Sequence, residues 1–191
     1  MDDVARCWWA GGERPDPRMR AYHDTEWGEP VTDDVELFER LVLESFQAGL
    51  SWQTILNKRD AFRAAFEGFD PAVVARFDES DRARLMADAG IVRNGAKVDA
   101  TIGNARAFLA LVDEFGSFDA YLASIVPRPP ARLPRAAVAG EIPDRTLVAD
   151  TLSKDLKRRG FKFVGPTIVY AFMQSVGLVD DHLSSCFRYR G

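Results

Sequence analysis

The chain has only two cysteines and two histidines among its 191 residues. They are Cys7, His23, His182 and Cys186, so all four fall in the first 23 or the last 10 positions. Four independent placements would do this with a chance on the order of one in a thousand, so the clustering is informative. If the four residues meet, the two ends of the chain are clipped together and everything between them must fold back. His182 and Cys186 are four apart, a spacing that turns both side chains the same way on a helix or tight turn. Two thiolates and two imidazoles make a closed tetrahedral zinc set, and a closed set is structural, not catalytic. Two plainer readings stand beside it. Cys7 and Cys186 form a disulfide, which a cytosolic compartment disfavours, or His23 is an ordinary core or capping histidine. The separation Cys7-x15-His23 is not a finger spacing.

Composition narrows the class. Apolar residues make up 47% and charged residues 28%, as in a folded globular protein, and 191 residues suit one domain or one domain with a small lobe. The start, Met1-Asp2-Asp3, is acidic and no apolar run follows it. No secretory leader and no membrane span are therefore expected, and a cytoplasmic protein is. The net charge of −4 argues mildly against a nucleic-acid binder, although local clusters can run the other way.

Periodicity reads as helix throughout, giving an all-α class. Asp33 and Glu36 resemble a capping box ahead of Leu37, Phe38, Leu41, Val42, Ser45 and Phe46, a helix ending near Gly49. Ser51 caps a helix carrying Trp52, Ile55, Leu56, Phe62 and Phe66. Asp70-Pro71 starts a short one. Ser80 opens another that Gly90 closes, a long helix spans about 95–115, and Ser117 starts one through Ile125. Pro127, Pro129, Pro130, Pro134 and Pro143 mark 127–143 as an extended surface connection. Helical pattern resumes from Thr146 to Arg159 and again from Gly165-Pro166 to Gly177.

Two stretches carry chemistry. Lys154, Lys157, Arg158, Arg159 and Lys162 surround a turn at 160–165, with only Asp155 opposing them, so the local charge is +4 in an acidic chain. Gly165 before a helix start exposes backbone N–H groups where the dipole favours an anion such as phosphate. The alternative is a solvated face turning through an ordinary helical hairpin. The second stretch is aromatic. Trp8, Trp9, Tyr22, Trp27, Phe46 and Trp52 crowd the first 52 residues, as core or as the wall of a pocket for a flat ligand. Glu44 lies in the apolar run Leu41-Val-Leu-Glu-Ser-Phe, where a carboxylate needs a partner or a use, unless it reaches solvent from the helix edge.

Several separated blocks occur in a fixed order: Arg6-Cys7-x-Trp9, Tyr22-His23-Asp24-x-Glu26-Trp27-Gly28, and Leu43-Glu44-x-x-Gln47-Ala48-Gly49-Leu50-Ser51-Trp52. Further on come Gly103-Asn104-Ala105-Arg106, Leu152-Ser153-Lys154, Lys157-Arg158-Arg159-Gly160-Phe161-Lys162-Phe163-Val164-Gly165 and Asp181-His182-x3-Cys186. Through these blocks, over about residues 6–186, the chain resembles the type I 3-methyladenine DNA glycosylases (the Tag family).

The resemblance implies an all-α helix-hairpin-helix glycosylase, a single domain over 1–191, with structural zinc on Cys7, His23, His182 and Cys186 joining the termini. It implies Glu44 as the base-binding catalytic glutamate, and Trp9, Tyr22, Trp27 and Trp52 as the aromatic pocket, to which Phe46 is added as a substrate-binding candidate. Gly49 and Leu50 correspond to the element approaching the gap left in the duplex, and Lys162 and Gly165 to the DNA-binding hairpin. The partner implied is double-stranded DNA containing alkylated purines, and a monomer is the default. The chain departs from the pattern at Met19, where some members have an aromatic residue, and at Ser45 and Phe46, where others have Gly and Gln. The hairpin carries Phe161, Lys162 and Phe163 instead of the common Gly-x-Gly form. These departures leave room for a glycosylase acting on another alkylpurine. Two readings from other classes stand beside it: a zinc-stabilised module that binds lesions without cutting, and a protein that binds the free base or nucleoside in the same pocket and ignores duplex DNA.

Overall fold

Most helices of this protein start where a short polar side chain meets free backbone amides. The computed structural model describes residues 4–11, 16–128, 131–132 and 139–190. Asp16 accepts from the amides of Arg18 and Met19 and starts α1 (Pro17–Thr25). Asp33 accepts from Glu36 N–H and starts α2 (Asp34–Gln47), and Ser51 caps α3 (Trp52–Ala65). Asp70 with Pro71 opens the short α4 (Pro71–Val74). Then follow α5 (Glu79–Ala87), α6 (Gly95–Phe115) and α7 (Phe118–Ile125). Thr146 caps α8 (Leu147–Arg158), and α9 (Pro166–Ser175) starts at Gly165 without a side-chain cap.

Four expectations are corrected. The capping box lies not at Asp33 but at α5, where Asp78 and Asp81 bond each other's backbone, so Asp78 rather than Ser80 opens that helix. The helix ends at Ala87, before Gly90. At α2 the Glu36 carboxylate turns away to Arg40, 2.9 Å from its guanidinium. The class is mostly helical rather than purely so: β1 (Ala131–Arg132) pairs in parallel with β2 (Val179–Asp180). This pairing and a 3-10 turn at Ala139–Glu141 occupy part of the proline-rich connection. Pro129, Pro130 and Pro134 lie outside the described residues.

Helix α2 runs through the middle, against α3, α6, α7 and α9. Ten consecutive residues, Leu37 to Phe46, are buried, so it has no solvent face over that stretch. The apolar ones join one continuous core with Phe62, Phe66, Phe108, Phe118 and Phe172. A fully buried side chain of this size contributes about 1.5–3 kcal/mol. Two charges on α2 are matched on site. Arg40 bonds Glu26 and Glu36, at 2.8 and 2.9 Å. Arg59 of α3 bonds Glu26 and Glu39, each at 2.6 Å, and Arg63 also reaches Glu39. Such pairing is what permits ionised groups to be buried at all.

The end of α2 is closed from outside. Lys97 of α6, itself buried, donates to the carbonyls of Phe46 and Ala48 at 2.8 and 2.7 Å. It thus serves carbonyls that the helix leaves unpaired at its C-terminus. Its burial pulls the Lys97 amine below its usual range. Gly49 then turns the chain at φ 83°, in the left-handed region that favours glycine. Farther on, Gly177 admits the segment leading into α2: a Cβ there would lie 2.7 Å from the carbonyl carbon of Glu29.

Lys97→Met removes the cap and leaves the buried Phe46 carbonyl without its partner. We expect a loss of about 2–3 kcal/mol, read as a lower urea midpoint at unchanged slope.

Candidate active site

A cavity of about 390 Å³ opens between the N-terminal segment, the central helix α2 and helix α9. Helix α1 supplies Met19 and Tyr22 and the turn after it Trp27. Helix α2 supplies Glu44 and Gln47, α3 supplies Trp52, and α9 supplies Ala171 and Gln174. The N-terminal segment adds Trp8 and Trp9, and residues 142–144 close the remaining side. The rings form a connected wall. Trp9 and Trp27 meet edge to face at 5.2 Å between centroids, Trp9 and Tyr22 lie at 6.2 Å, and Tyr22 and Trp52 at 5.1 Å. Trp9, Tyr22, Trp27 and Trp52 therefore come together as expected.

Phe46 does not join them. Its ring is fully buried, 4.8 Å from Phe62 and 6.1 Å from Phe66, because it lies two positions beyond Glu44 and faces a different side of α2. Of the departing residues Met19, Ser45 and Phe46, only Met19 faces the cavity. Ser45 turns instead to backbone, donating to the carbonyls of Leu41 and Phe163.

Glu44 is the electrostatic centre of the cavity. It is 5% exposed and, among the described residues, forms no hydrogen bond or ion pair. Burial raises its carboxyl from the ordinary range to about 8, opposed by the charge of Arg40. The same burial pushes the Tyr22 phenol up. The hydroxyl of Tyr22 and the indole N–H of Trp52 are buried polar groups without a hydrogen-bond partner among the described residues. The walls are thus mostly aromatic and apolar, with the Glu44 carboxyl poised between its neutral and charged forms near neutral pH. Such a site suits a flat ligand that carries positive charge and an N–H donor.

The four Cys and His residues meet at one side of the cavity. Their ligand atoms all lie within 4.8 Å of one another, and all four side chains are buried. Cys186 Sγ lies 3.4 Å from His23 Nε2 and 3.6 Å from His182 Nδ1, and Cys7 Sγ lies 3.6 Å from His182 Nδ1. Zinc bonds of about 2.3 Å to sulfur and about 2.0–2.1 Å to nitrogen, at tetrahedral angles, separate S and N by about 3.5 Å. Both cysteines are free thiols, which removes the disulfide reading. His23 Nδ1 is held 2.8 Å from Asp24, itself clamped by Arg6 at 2.7 Å, and this fixes the ring so that Nε2 faces the sulfurs. The backbone N–H of Leu183 approaches Cys7 Sγ and that of Arg188 approaches Cys186 Sγ, each at 3.4 Å. This cluster also supports the aromatic wall. Trp9 meets the His23 ring at 5.1 Å and Trp27 the His182 ring at 4.7 Å, both edge to face.

Two further elements adjoin the cavity through α2. The turn at Gly49 and Leu50 is exposed, with Leu50 41% accessible, between the lining residues Gln47 and Trp52. The connector 160–165 lies against Ser45. Its basic cluster is smaller than the sequence suggests. Arg158 is paired with Asp155, and Arg159 with both Asp155 and Glu114, at 2.7 and 2.6 Å. Lys154, Lys157 and Lys162 remain as the cations of this face without an ion-pair partner among the described residues.

Several lining residues were not singled out from the sequence. Gln47 lay inside a quoted block without a role, and Trp8 was only one of the aromatics. Gln174 and Asp144 went unread. Gln174 carried a usable signal, a polar residue in the apolar run of α9, the same signal that marks Glu44. Its amide N–H₂ donates to Asp181 at 2.7 Å. Asp144 sits in a loop, where a carboxylate is unremarked.

A family model described as methyladenine glycosylase matches residues 9–189. The chain is 50% identical over 188 residues to DNA-3-methyladenine glycosylase 1 of Escherichia coli K12, covering 98% of each chain. Its fold matches a crystal structure of 3-methyladenine DNA glycosylase I with a TM-score of 0.91, at 48% identity, over 97% of this chain and 100% of that one. It also matches a Tyr-to-Phe variant of such an enzyme in complex with 3-methyladenine, with a TM-score of 0.88 at 40% identity, over 93% and 95% of the two chains. The site geometry and these likenesses converge, and the chain belongs to the methyladenine glycosylase family.

Proposed function

We propose that this protein hydrolyses the N-glycosidic bond of 3-methyladenine in alkylated double-stranded DNA, releasing the free base and leaving an abasic site. The observation that carries this is Glu44, a buried carboxyl without a partner among the described residues, in an aromatic cavity. The family match and the relative crystallised with 3-methyladenine support the choice of base. N3-methyladenine in DNA is cationic, so its glycosidic bond is already weakened and a strong general acid is not needed. The work lies in extruding the nucleotide and binding the base. Trp9, Tyr22, Trp27 and Trp52 would attract the cation through their ring faces, by about 0.5–2 kcal/mol each according to desolvation. Glu44 would accept a hydrogen bond from the exocyclic amine and offset the positive charge. Neutral adenine gains neither charge interaction and is harder to unstack and unpair. Water is the nucleophile, so the reaction is monofunctional.

In this reading α8, the connector 160–165 and α9 form a helix-hairpin-helix that grips the DNA backbone, with Lys162 and Gly165 at the contact. Gly49 and Leu50 approach the gap left by the extruded nucleotide. Cys7, His23, His182 and Cys186 hold one zinc ion, which supplies a rigid cross-link between the two ends and takes no part in the reaction. The close set of two sulfurs and two nitrogens and the oriented His23 support that assignment. The protein acts as a single domain and a monomer. No helix among the described residues is long and apolar enough to cross a membrane.

The primary test is chromatography of bases released from methylated duplex DNA. Selective 3-methyladenine is expected. Predominant 3-methylguanine or 7-methylguanine would shift the substrate and direct attention to Met19, and DNA binding without release would leave a lesion-binding module. Glu44→Gln keeps the shape and loses the anionic acceptor, so kcat/KM should fall roughly 10- to 150-fold, corresponding to about 1.5–3 kcal/mol.

The pH profile carries a sign. With its carboxyl raised to about 8, Glu44 is mostly protonated at pH 7, and its anionic fraction grows as the pH rises. The kcat/KM of the wild type should therefore increase from pH 6 to 9, and Glu44→Gln should flatten that limb. A wild-type profile flat over this range would remove the assigned role of the carboxylate.

For the metal, elemental analysis should find about one zinc per chain. Cys186→Ser should lower that stoichiometry and reduce the Tm by roughly 10 °C. Metal-free protein with an unchanged Tm would refute the assignment.

A further inference from the structure

Two of the sequence blocks, Gly103-Asn104-Ala105-Arg106 and Leu152-Ser153-Lys154, have no part in the site described above. Asn104 of α6 and Ser153 of α8 are each 2% exposed, and both face the connector between α8 and α9. Asn104 Nδ2 donates to the Lys162 carbonyl at 2.9 Å, and the Lys162 N–H donates to Asn104 Oδ1 at 2.8 Å. Ser153 Oγ donates to the Val164 carbonyl at 2.6 Å. Between these, the Phe163 carbonyl accepts from Ser45 Oγ at 3.0 Å, a hydroxyl shared with the Leu41 carbonyl at 2.8 Å. The side chains of Phe161 and Val164 are buried and anchor the same segment.

Three successive carbonyls, of Lys162, Phe163 and Val164, are thus turned into the protein. In a planar trans peptide, the carbonyl of one residue and the N–H of the next point in opposite directions. The N–H groups of Phe163, Val164 and Gly165 are therefore turned outward, and they have no acceptor among the described residues. An extended chain cannot do this, because its carbonyls alternate in direction. The alternation is broken at Phe163, whose φ of 54° is in the left-handed region that an aromatic residue rarely visits. A left-handed residue of this kind gathers successive N–H groups into a concavity suited to an anion. The conformation is not intrinsic to a Phe-Lys-Phe-Val sequence. Side chains from three different helices impose it.

We propose that Asn104 and Ser153, assisted by Ser45, are positioning residues for DNA. They hold the connector so that the outward N–H groups of 163–165 meet one backbone phosphate. Ser45 also sets the connector's place relative to the base cavity, since it adjoins Glu44 on α2. This deepens the glycosylase reading and rests on it for the identity of the polymer. None of the three residues touches the base or the reacting bond.

The test uses the full chain with Asn104→Ala, Ser153→Ala and the hydroxyl-retaining Ser153→Thr. Affinity is measured for an undamaged duplex over a series of salt concentrations, and separately for free 3-methyladenine. Duplex affinity should fall roughly 5- to 20-fold in the two alanine variants across the salt series, with little change in the log–log slope, because a contact from neutral amides releases no counterion. Binding of free 3-methyladenine should not change, and Ser153→Thr should recover most of the loss. In the wild type, the amide resonances of Phe163, Val164 and Gly165 should shift when duplex is added. Unchanged duplex affinity in folded variants overturns the proposal, and so does a parallel loss of free-base binding, which marks a merely structural role. If the alanine variants do not fold, the wild-type resonances decide, and their failure to move overturns it. Release of 3-methyladenine by the wild type is scored separately, so the glycosylase reading can fail while the amide shifts stand.

Discussion

The buried central helix and the one carboxyl it leaves unmatched set the terms for the rest of the molecule. Helix α2 is enclosed from Leu37 to Phe46, and three of those ten residues are ionisable. Leaving an ion in such a place without a partner costs several kcal/mol. Glu39 and Arg40 escape that cost through Glu26, Glu36, Arg59 and Arg63, gathered from the end of α1, from α2 and from α3. Glu44 has no such arrangement. It escapes by holding its proton to an unusually high pH, and by facing a cavity instead of packed side chains. The same feature that is unfavourable for the free protein makes the cavity receptive to a cation.

The cavity is held from two directions. On one side, the Cys and His set draws residues near both termini together, and its imidazoles abut the edges of Trp9 and Trp27. Those two rings belong to short segments with little secondary structure of their own, so their placement depends on that cluster. On the other side, α2 acts as a ruler. Within five residues it carries Glu44, the Ser45 contact to the connector, and two carbonyls capped by Lys97 just before the Gly49 turn. Base pocket, connector and turn are therefore referenced to a single rigid element, which limits their relative motion.

Much of the local structure was legible because it is governed by neighbours in sequence. Ser51, Asp70, Ser117 and Thr146 cap helices as their chemistry dictates, and the long helix runs over 95–115 as read. Asp78 opens α5 although Ser80 is an equally good capping residue two positions on, and only the reciprocal bond with Asp81 separates them. The basic cluster was overestimated because Glu114, 45 residues from Arg159, neutralises part of it in space. Phe46 belongs to the same aromatic-rich stretch as the pocket residues, whereas the helical turn sends it to the core.

From the residues alone came the helical class, the meeting of the chain ends through four Cys and His residues, and a carboxylate out of place in an apolar helix. These follow from short-range spacing and from residue chemistry, which a linear reading preserves. Only the tertiary structure decided which aromatics surround that carboxyl, which cations stay unpaired, and how Asn104, Ser153 and Ser45 hold a connector up to 118 residues away from them. Those outcomes depend on contacts between distant segments and on the direction of individual carbonyls. Such directions are set by packing, where three helices converge on one turn, and no spacing along the chain encodes them.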